Sequence, residues 1–314
     1  MRQHRARVGK QRKTRAFVAA VALLAGLSLA CSAPQSAPRQ NRESLSIAEY
    51  DIARDLWLTR GQPREALDHV LKAIDLDDDN ADAAHLAALI YLDFCRQDAE
   101  ECRLAEAEKQ ARRALALKPD FRDARNTLGV VLVHEKRYAE AIEVLTPLTS
   151  DILYRTPENA WGNIGWAYLE KGDLPRALEA LKRSVAAQPD FCVGYYRLGL
   201  TEERLGRSNE AIEAYTQALS AADGRCQGLQ EAYAGRARLL TALNRLDEAR
   251  RDLETCVRLD ERTDAGQECL RLQQRLGLQD SQNSPNLRRG SPEDHPQDKK
   301  ESPSAAAPPQ TPAQ

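Results

Sequence analysis

Aromatic residues are scarce in this 314-residue chain: four Phe, three Trp and nine Tyr make up 5% of it, beside a single Met. A core cannot then rest on aromatic clusters, so Ala and the aliphatic residues must supply most of the 42% apolar content. With 29% charged residues, that balance points to long helices and away from sandwiches and barrels. Long apolar runs are missing too. The longest, residues 16–30 (AFVAAVALLAGLSLA), falls short of the roughly 20 residues that cross a bilayer as a helix. Glycine-rich phosphate loops, HExxH, GxSxG, CxxC and paired acids in a fixed frame are absent. The chain is therefore expected to be no enzyme, with no catalytic residue, metal site, cofactor or small-molecule substrate.

Residues 1–30 contain no acidic residue but seven Lys/Arg, which hides the charge of the rest. Without them 38 basic residues face 47 acidic ones, a net of −9 against −2 for the whole chain. An acidic body is a poor partner for nucleic acid, which needs a basic stripe over its phosphates.

A basic start, a short apolar stretch and a small residue at its end make residues 1–30 a secretory signal. The string Leu27-Ser28-Leu29-Ala30-Cys31 resembles a bacterial lipobox, with Ser28 where Leu is usual. Two outcomes follow: lipidation of Cys31, whose acyl chains would anchor the protein to a membrane, or plain cleavage after Ala30. Residues 31–46 are expected to be a flexible tether. Residues 280–314 hold seven of the fifteen prolines and little that is apolar except alanine, the composition of a disordered tail.

Between them, residues 47–279 are an array. Ala66, Ala107, Ala141, Ala177, Ala211 and Ala249 recur at spacings of 41, 34, 36, 34 and 38. Twelve positions before five of them lie Gly129, Gly165, Gly199 and Ala237, with Arg54 as the exception, and in the second repeat, seven residues longer, Ala88 lies nineteen before Ala107. Small residues let paired helices approach closely, and each pair buries its apolar face only against the next. The units resemble tetratricopeptide repeats of about 34 residues. Residues 158–191 carry the pattern best, through Trp161, Gly165, Tyr168, Gly172, Ala177, Leu181 and Pro189. The expected fold is all-α: a superhelix of six helix-pair repeats, ended by a cap helix near residues 264–277.

Six cysteines remain beside Cys31, an even number that suits an exported, disulfide-bonded chain. Fifteen pairings are possible. The repeat phase favours the local ones, Cys95–Cys102, Cys192–Cys226 and Cys256–Cys269, the middle pair being the one at the limit of reach.

The resemblance also implies where a partner would bind. Positions 5, 9 and 12 of each first helix line the concave face of such repeats. Here Leu89, Leu92, Val130, Val133, Trp166, Leu169 and Leu200 would form an apolar floor, with His85, Asn126 and Tyr196 beside it. The Lys, Arg and Asn set with which chaperone-binding members grip a terminal carboxylate is not found at these positions.

Between the third and fourth repeats, Asp151, Leu153, Tyr154, Thr156, Pro157, Asn163 and Gly165 fall in a D-x-L-Y-x-T-P…N-x-G pattern. With the lipobox and six repeats, this resembles the type IV pilus biogenesis lipoproteins, or secretin pilotins (PilF/PilW/Tgl type). The resemblance implies a lipid-anchored protein on the periplasmic side of the outer membrane. It would bind the pilus secretin subunit and promote its localisation and multimer assembly, and hence twitching or social motility. Locally, Thr156-Pro157 would set the entry to a helix, and Asn163 would hydrogen-bond across the loop. Six internal cysteines and a Pro-rich tail depart from the family pattern. The alternative is a tetratricopeptide lipoprotein scaffold for another envelope assembly machine.

Overall fold

Alanine and glycine set how closely the helices approach. The computed structural model describes residues 36–97, 100–220, 226 and 228–283, and among them every regular element is helical. Helices α1 (Ser36–Leu58) and α2 (Pro63–Leu76) form the first pair, α3 (Ala81–Gln97) and α4 (Leu104–Leu117) the second. The third is α5 (Arg122–His134) with α6 (Tyr138–Leu145), and the fourth α7 (Pro157–Lys171) with α8 (Leu174–Ala187). Helices α9 (Cys192–Arg204) and α10 (Ser208–Leu219) make the fifth, α11 (Gln230–Ala242) and α12 (Leu246–Leu259) the sixth, and α13 (Asp264–Asn283) closes the array. This is the all-α superhelix of six helix pairs and a cap helix that the spacing predicts. The signal at 1–30, Cys31 and residues 284–314 of the expected tail lie outside the described residues.

All six second-helix alanines are fully buried. Facing them, a Cβ built on Gly129 would lie 2.4 Å from Leu145, on Gly165 2.5 Å from Leu181, and on Gly199 2.6 Å from Tyr215. Any larger residue would force the helices apart, at a cost of about 1–3 kcal/mol for overpacking. Ala88 and Ala237 fill the same place in their repeats without exposed surface. In the first repeat the small residue is Ala53, fully buried, while Arg54 points outward over the Tyr50 ring. The repeat is thus one residue out of the phase that Arg54 marked.

Turns inside five of the six pairs use a residue in the left-handed region: Gly61, Lys136, Gly172, Gly206 and Asn244. In the fourth pair the Gly172 amide donates to Leu169 O (3.1 Å) and the Asp173 amide to Tyr168 O (2.9 Å), closing the end of α7. Pro157 and Pro175 fall in the first turns of α7 and α8, where no intrahelical amide is lost.

Two expected boundaries are corrected. Helix α1 opens at Ser36, so residues 36–46 belong to the first pair and not to a tether. The reason lies in polar contacts rather than apolar pattern. Buried Ser46 donates to Ala73 O (2.7 Å) and Arg42 to Asp75 O (2.9 Å), satisfying carbonyls in the last turn of α2. Elsewhere on α1, Leu45, Ile47, Ile52 and Leu58 are exposed. At the far end α13 continues to Asn283, past residue 279, with Cys269, Leu272 and Leu276 buried against the sixth pair.

Cysteines pair as Cys95–Cys102, Cys192–Cys226 and Cys256–Cys269, with Cα separations of 4.0, 6.1 and 6.3 Å. The middle pair lies within ordinary reach.

Candidate partner-binding face

In a superhelix of helix pairs, the helices on the inside of the curve lie closest together. Successive first helices touch here, α1 with α3, α3 with α5, α5 with α7 and α7 with α9, so their common surface is the inner face. Of the seven residues expected to floor it, Leu89, Leu92, Val130, Trp166 and Leu200 are only partly buried, as is Tyr196 beside them. Val133 and Leu169 are not on the floor. They are 2% and 0% exposed. Both lie in the last turns of their helices, where the array closes over them. Val133 packs among Leu128, Leu132, Ala141 and Ala167, and Arg204 of α9 reaches back to Leu169 O (2.9 Å). The continuous apolar strip is thus reduced to Leu89, Val130, Trp166 and Leu200, with Leu92 and Tyr196.

What runs along the inner face is a polar ladder. His85 Nε2 meets Thr127 Oγ1 at 2.9 Å, Asn163 Nδ2 donates to Asn126 Oδ1 at 3.0 Å, and Arg197 Nη1 donates to Asn163 Oδ1 at 3.0 Å and Gly162 O at 3.1 Å. Asn163, 7% exposed, therefore bridges three repeats and does not hydrogen-bond across the junction loop as expected. Trp166 lies between two cationic or ionisable neighbours. The His134 ring meets its edge at 5.0 Å, and the Arg197 guanidinium carbon stands 4.6 Å over its ring centre. Burial pushes the Arg197 guanidinium down to about 10 and the Tyr196 phenol up to about 12. Burial likewise lowers His85, and desolvation with the Arg197 charge lowers His134.

Toward the end of the array the ladder becomes ionic. Tyr215, wholly buried between Gly199 and Gly235, donates to Glu203 Oε2 (2.8 Å). Arg238 donates to both Glu203 oxygens (2.9 and 3.1 Å) and also bonds Glu268 on α13. These hydrogen bonds hold the Arg238 guanidinium above its usual value.

The signal for the ladder was present but unused: Thr127, Asn163 and Arg197 each stand two residues before the small residue of their repeat. Three polar residues at one register, on helices otherwise packed by Ala and Gly, mark a shared polar row.

At the junction of the third and fourth pairs, a 3₁₀ turn (Thr146–Thr149) leads into Asp151. The Leu153 amide donates to Asp151 Oδ1 (2.9 Å) and Arg122 Nε to Asp151 Oδ2 (2.7 Å), which together hold that carboxyl low. Tyr154 is buried under the loop and its phenol pushed up to about 12. Pro157 starts α7, and Gly165 takes the helix contact. The same turn leaves Ile152 96% and Leu153 67% exposed. Beside it, an open cleft of about 800 Å³ is bordered by Arg155, Thr156, Asn159, Phe191 and the Cys192–Cys226 bridge.

Family models for the tetratricopeptide repeat match residues 103–146 and 152–190, and again 194–224 and 230–263. No curated protein sequence matches the chain. Among solved structures, it is similar to PilW, described as a widely conserved type IV pilus biogenesis factor. The identity is 24%, over 72% of this chain and 98% of that one, with a TM-score of 0.59. PilF of Pseudomonas aeruginosa is 20% identical over 73% of this chain and 97% of its own, with a TM-score of 0.56. A tetratricopeptide repeat protein from Parabacteroides merdae is 13% identical over 83% and 95%, with a TM-score of 0.58. At these identities the likeness is one of fold.

Proposed function

We propose that this tetratricopeptide-repeat chain serves type IV pilus biogenesis as a pilotin. It is lipidated at Cys31, held on the periplasmic side of the outer membrane, and binds the secretin subunit to promote its localisation and assembly. The observation that carries this reading is the junction from Asp151 to Gly165. Its D-x-L-Y-x-T-P…N-x-G pattern occurs in an array whose fold PilW shares over 98% of its own length. The inner face supports it, since half-buried Leu89, Val130, Trp166 and Leu200 leave apolar surface beside hydrogen-bond donors. Such a surface suits a protein segment better than a small molecule.

Deletion of the gene should abolish secretin multimers in the outer membrane, and Trp166→Ala with Val130→Asp should do the same while the protein stays helical by circular dichroism. Secretin rings at wild-type levels in the deletion strain would overturn the reading. Cys31→Ala should release the protein from membranes on fractionation. The second reading, a scaffold for another envelope machine, has one observation in its favour: the tetratricopeptide repeat protein from Parabacteroides merdae shares the fold as well.

A further inference from the structure

The middle of the inner face holds a guanidinium that meets no counter-ion among the described residues. Arg197 spends Nη1 on Gly162 O and Asn163 Oδ1, and its Cζ stands 4.6 Å over the Trp166 ring. Among the described residues no acceptor meets its Nε or Nη2, and no carboxylate pairs with it. Glu203, on the same helix, is held by Arg238 and Tyr215, and Arg204 has taken Glu170. The contact with the indole helps to hold the guanidinium in place. Nε and Nη2 are the two parallel donors that fork onto a carboxylate. The groups nearby are donors too: Tyr196 carries a hydroxyl for which the structure shows no partner, and Asn126 uses its oxygen but not its amide hydrogens. Leu200, one helical turn on from Arg197, and Val130 in the same row of first-helix positions are partly buried and apolar.

We infer that Arg197, fixed on Trp166 and Asn163, is a receptor for one carboxylate of a protein segment lying along the inner face. The carboxylate is an acidic side chain or a chain terminus between apolar residues. Arg197 stands two residues before the small Gly199, not at positions 5, 9 or 12, and it acts with Trp166 rather than with a second cation. The inference rests on the reading that the inner face takes a protein segment, but its test needs no secretin.

The probes are N-acetyl-Leu-Glu-Leu-amide, its Gln counterpart, and N-acetyl-Leu-Gln-Leu with a free terminal carboxylate. Each is titrated into the mature chain while the indole N–H of Trp166 and the Nε–H of Arg197 are followed by NMR. The Glu peptide, the free-terminus peptide or both should shift these resonances at least about tenfold more tightly than the neutral Gln amide. The stronger of the two identifies the carboxylate source. Arg197→Gln should erase the preference and Arg197→Lys should keep only part of it, with both variants checked for wild-type thermal unfolding. Equal binding of charged and neutral peptides, or a preference that survives Arg197→Gln, overturns the inference. So does inorganic phosphate shifting the same resonances as tightly, which would mark an adventitious anion site. Loss of secretin rings on deletion with no peptide preference would keep the pilotin reading and discard this one.

Discussion

Arg197 and Arg238 stand on first helices of successive repeats and have opposite surroundings. Arg238 is saturated by Glu203 and Glu268, so the fifth pair, the sixth pair and the cap are tied by the chain's own charges. Arg197 has an indole face, an amide oxygen and a carbonyl, but no acid among the described residues. The C-terminal part of the inner face is therefore closed on itself, while the middle keeps unspent hydrogen-bonding capacity. An array of near-identical units can thus divide labour without changing its fold, through what occupies one register in each unit.

The sharpest way to break this contrast is to remove Tyr215, which fills the space between Gly199 and Gly235 and carries a bond to Glu203. Tyr215→Ala should cost about 3–5 kcal/mol, as for other large core aromatics, measured by urea unfolding. A loss below about 1 kcal/mol would mean that the closed end does not depend on it. Next comes the pair of arginines themselves. Arg238→Leu should cost about 1 kcal/mol, discounted because its side chain is 40% exposed. Arg197→Met should be neutral within about 0.5 kcal/mol, since the lost bonds to Gly162 and Asn163 are offset by removal of a partly buried charge that no carboxylate among the described residues pairs with. If the Arg197 change proved the more costly, the comparison would be reversed.

The smallest expected effect is acid sensitivity of the middle region. Burial lowers His85 in the folded state, so unfolding takes up a proton there once the pH drops below the ordinary histidine value near 6.5. Its contribution is complete above that value and is lost as the pH falls. His85→Gln should flatten stability between about pH 7 and 5, by less than about 1 kcal/mol. An unchanged slope in thermal melts would remove His85 from the account.

Much of the fold was legible because packing leaves little choice. A helix pair that must approach within a Cβ of its neighbour needs Gly129, Gly165 or Gly199 there, and the buried alanines opposite repeat with them. What escaped the sequence was held by polar contacts, which leave no periodic apolar mark. Residues 36–46 look like a tether by composition, yet Ser46 and Arg42 fasten them to the end of α2. Arg54 occupied the expected small position only because the first repeat is shifted by one residue to Ala53. On the candidate face, position counting found Trp166 and Leu200 but misplaced Val133 and Leu169, because it ignores how far the last helical turn is overlapped by the next repeat. Asn163 was singled out for a local role, but its bonds run to neighbouring repeats.

The three disulfides have a mechanical consequence. A chain pulled at its two ends lengthens only where covalent loops allow it. The bridge between Cys192 and Cys226 spans 34 residues, which at roughly 3.5 Å per extended residue withholds about 120 Å of contour. The Cys256–Cys269 bridge withholds a further 13-residue span, whereas the first four pairs contain only the short Cys95–Cys102 loop. Under tension, residues 193–225 and 257–268 stay out of the lengthening chain until their bridges are reduced, while the segments outside the loops, 227–255 among them, extend.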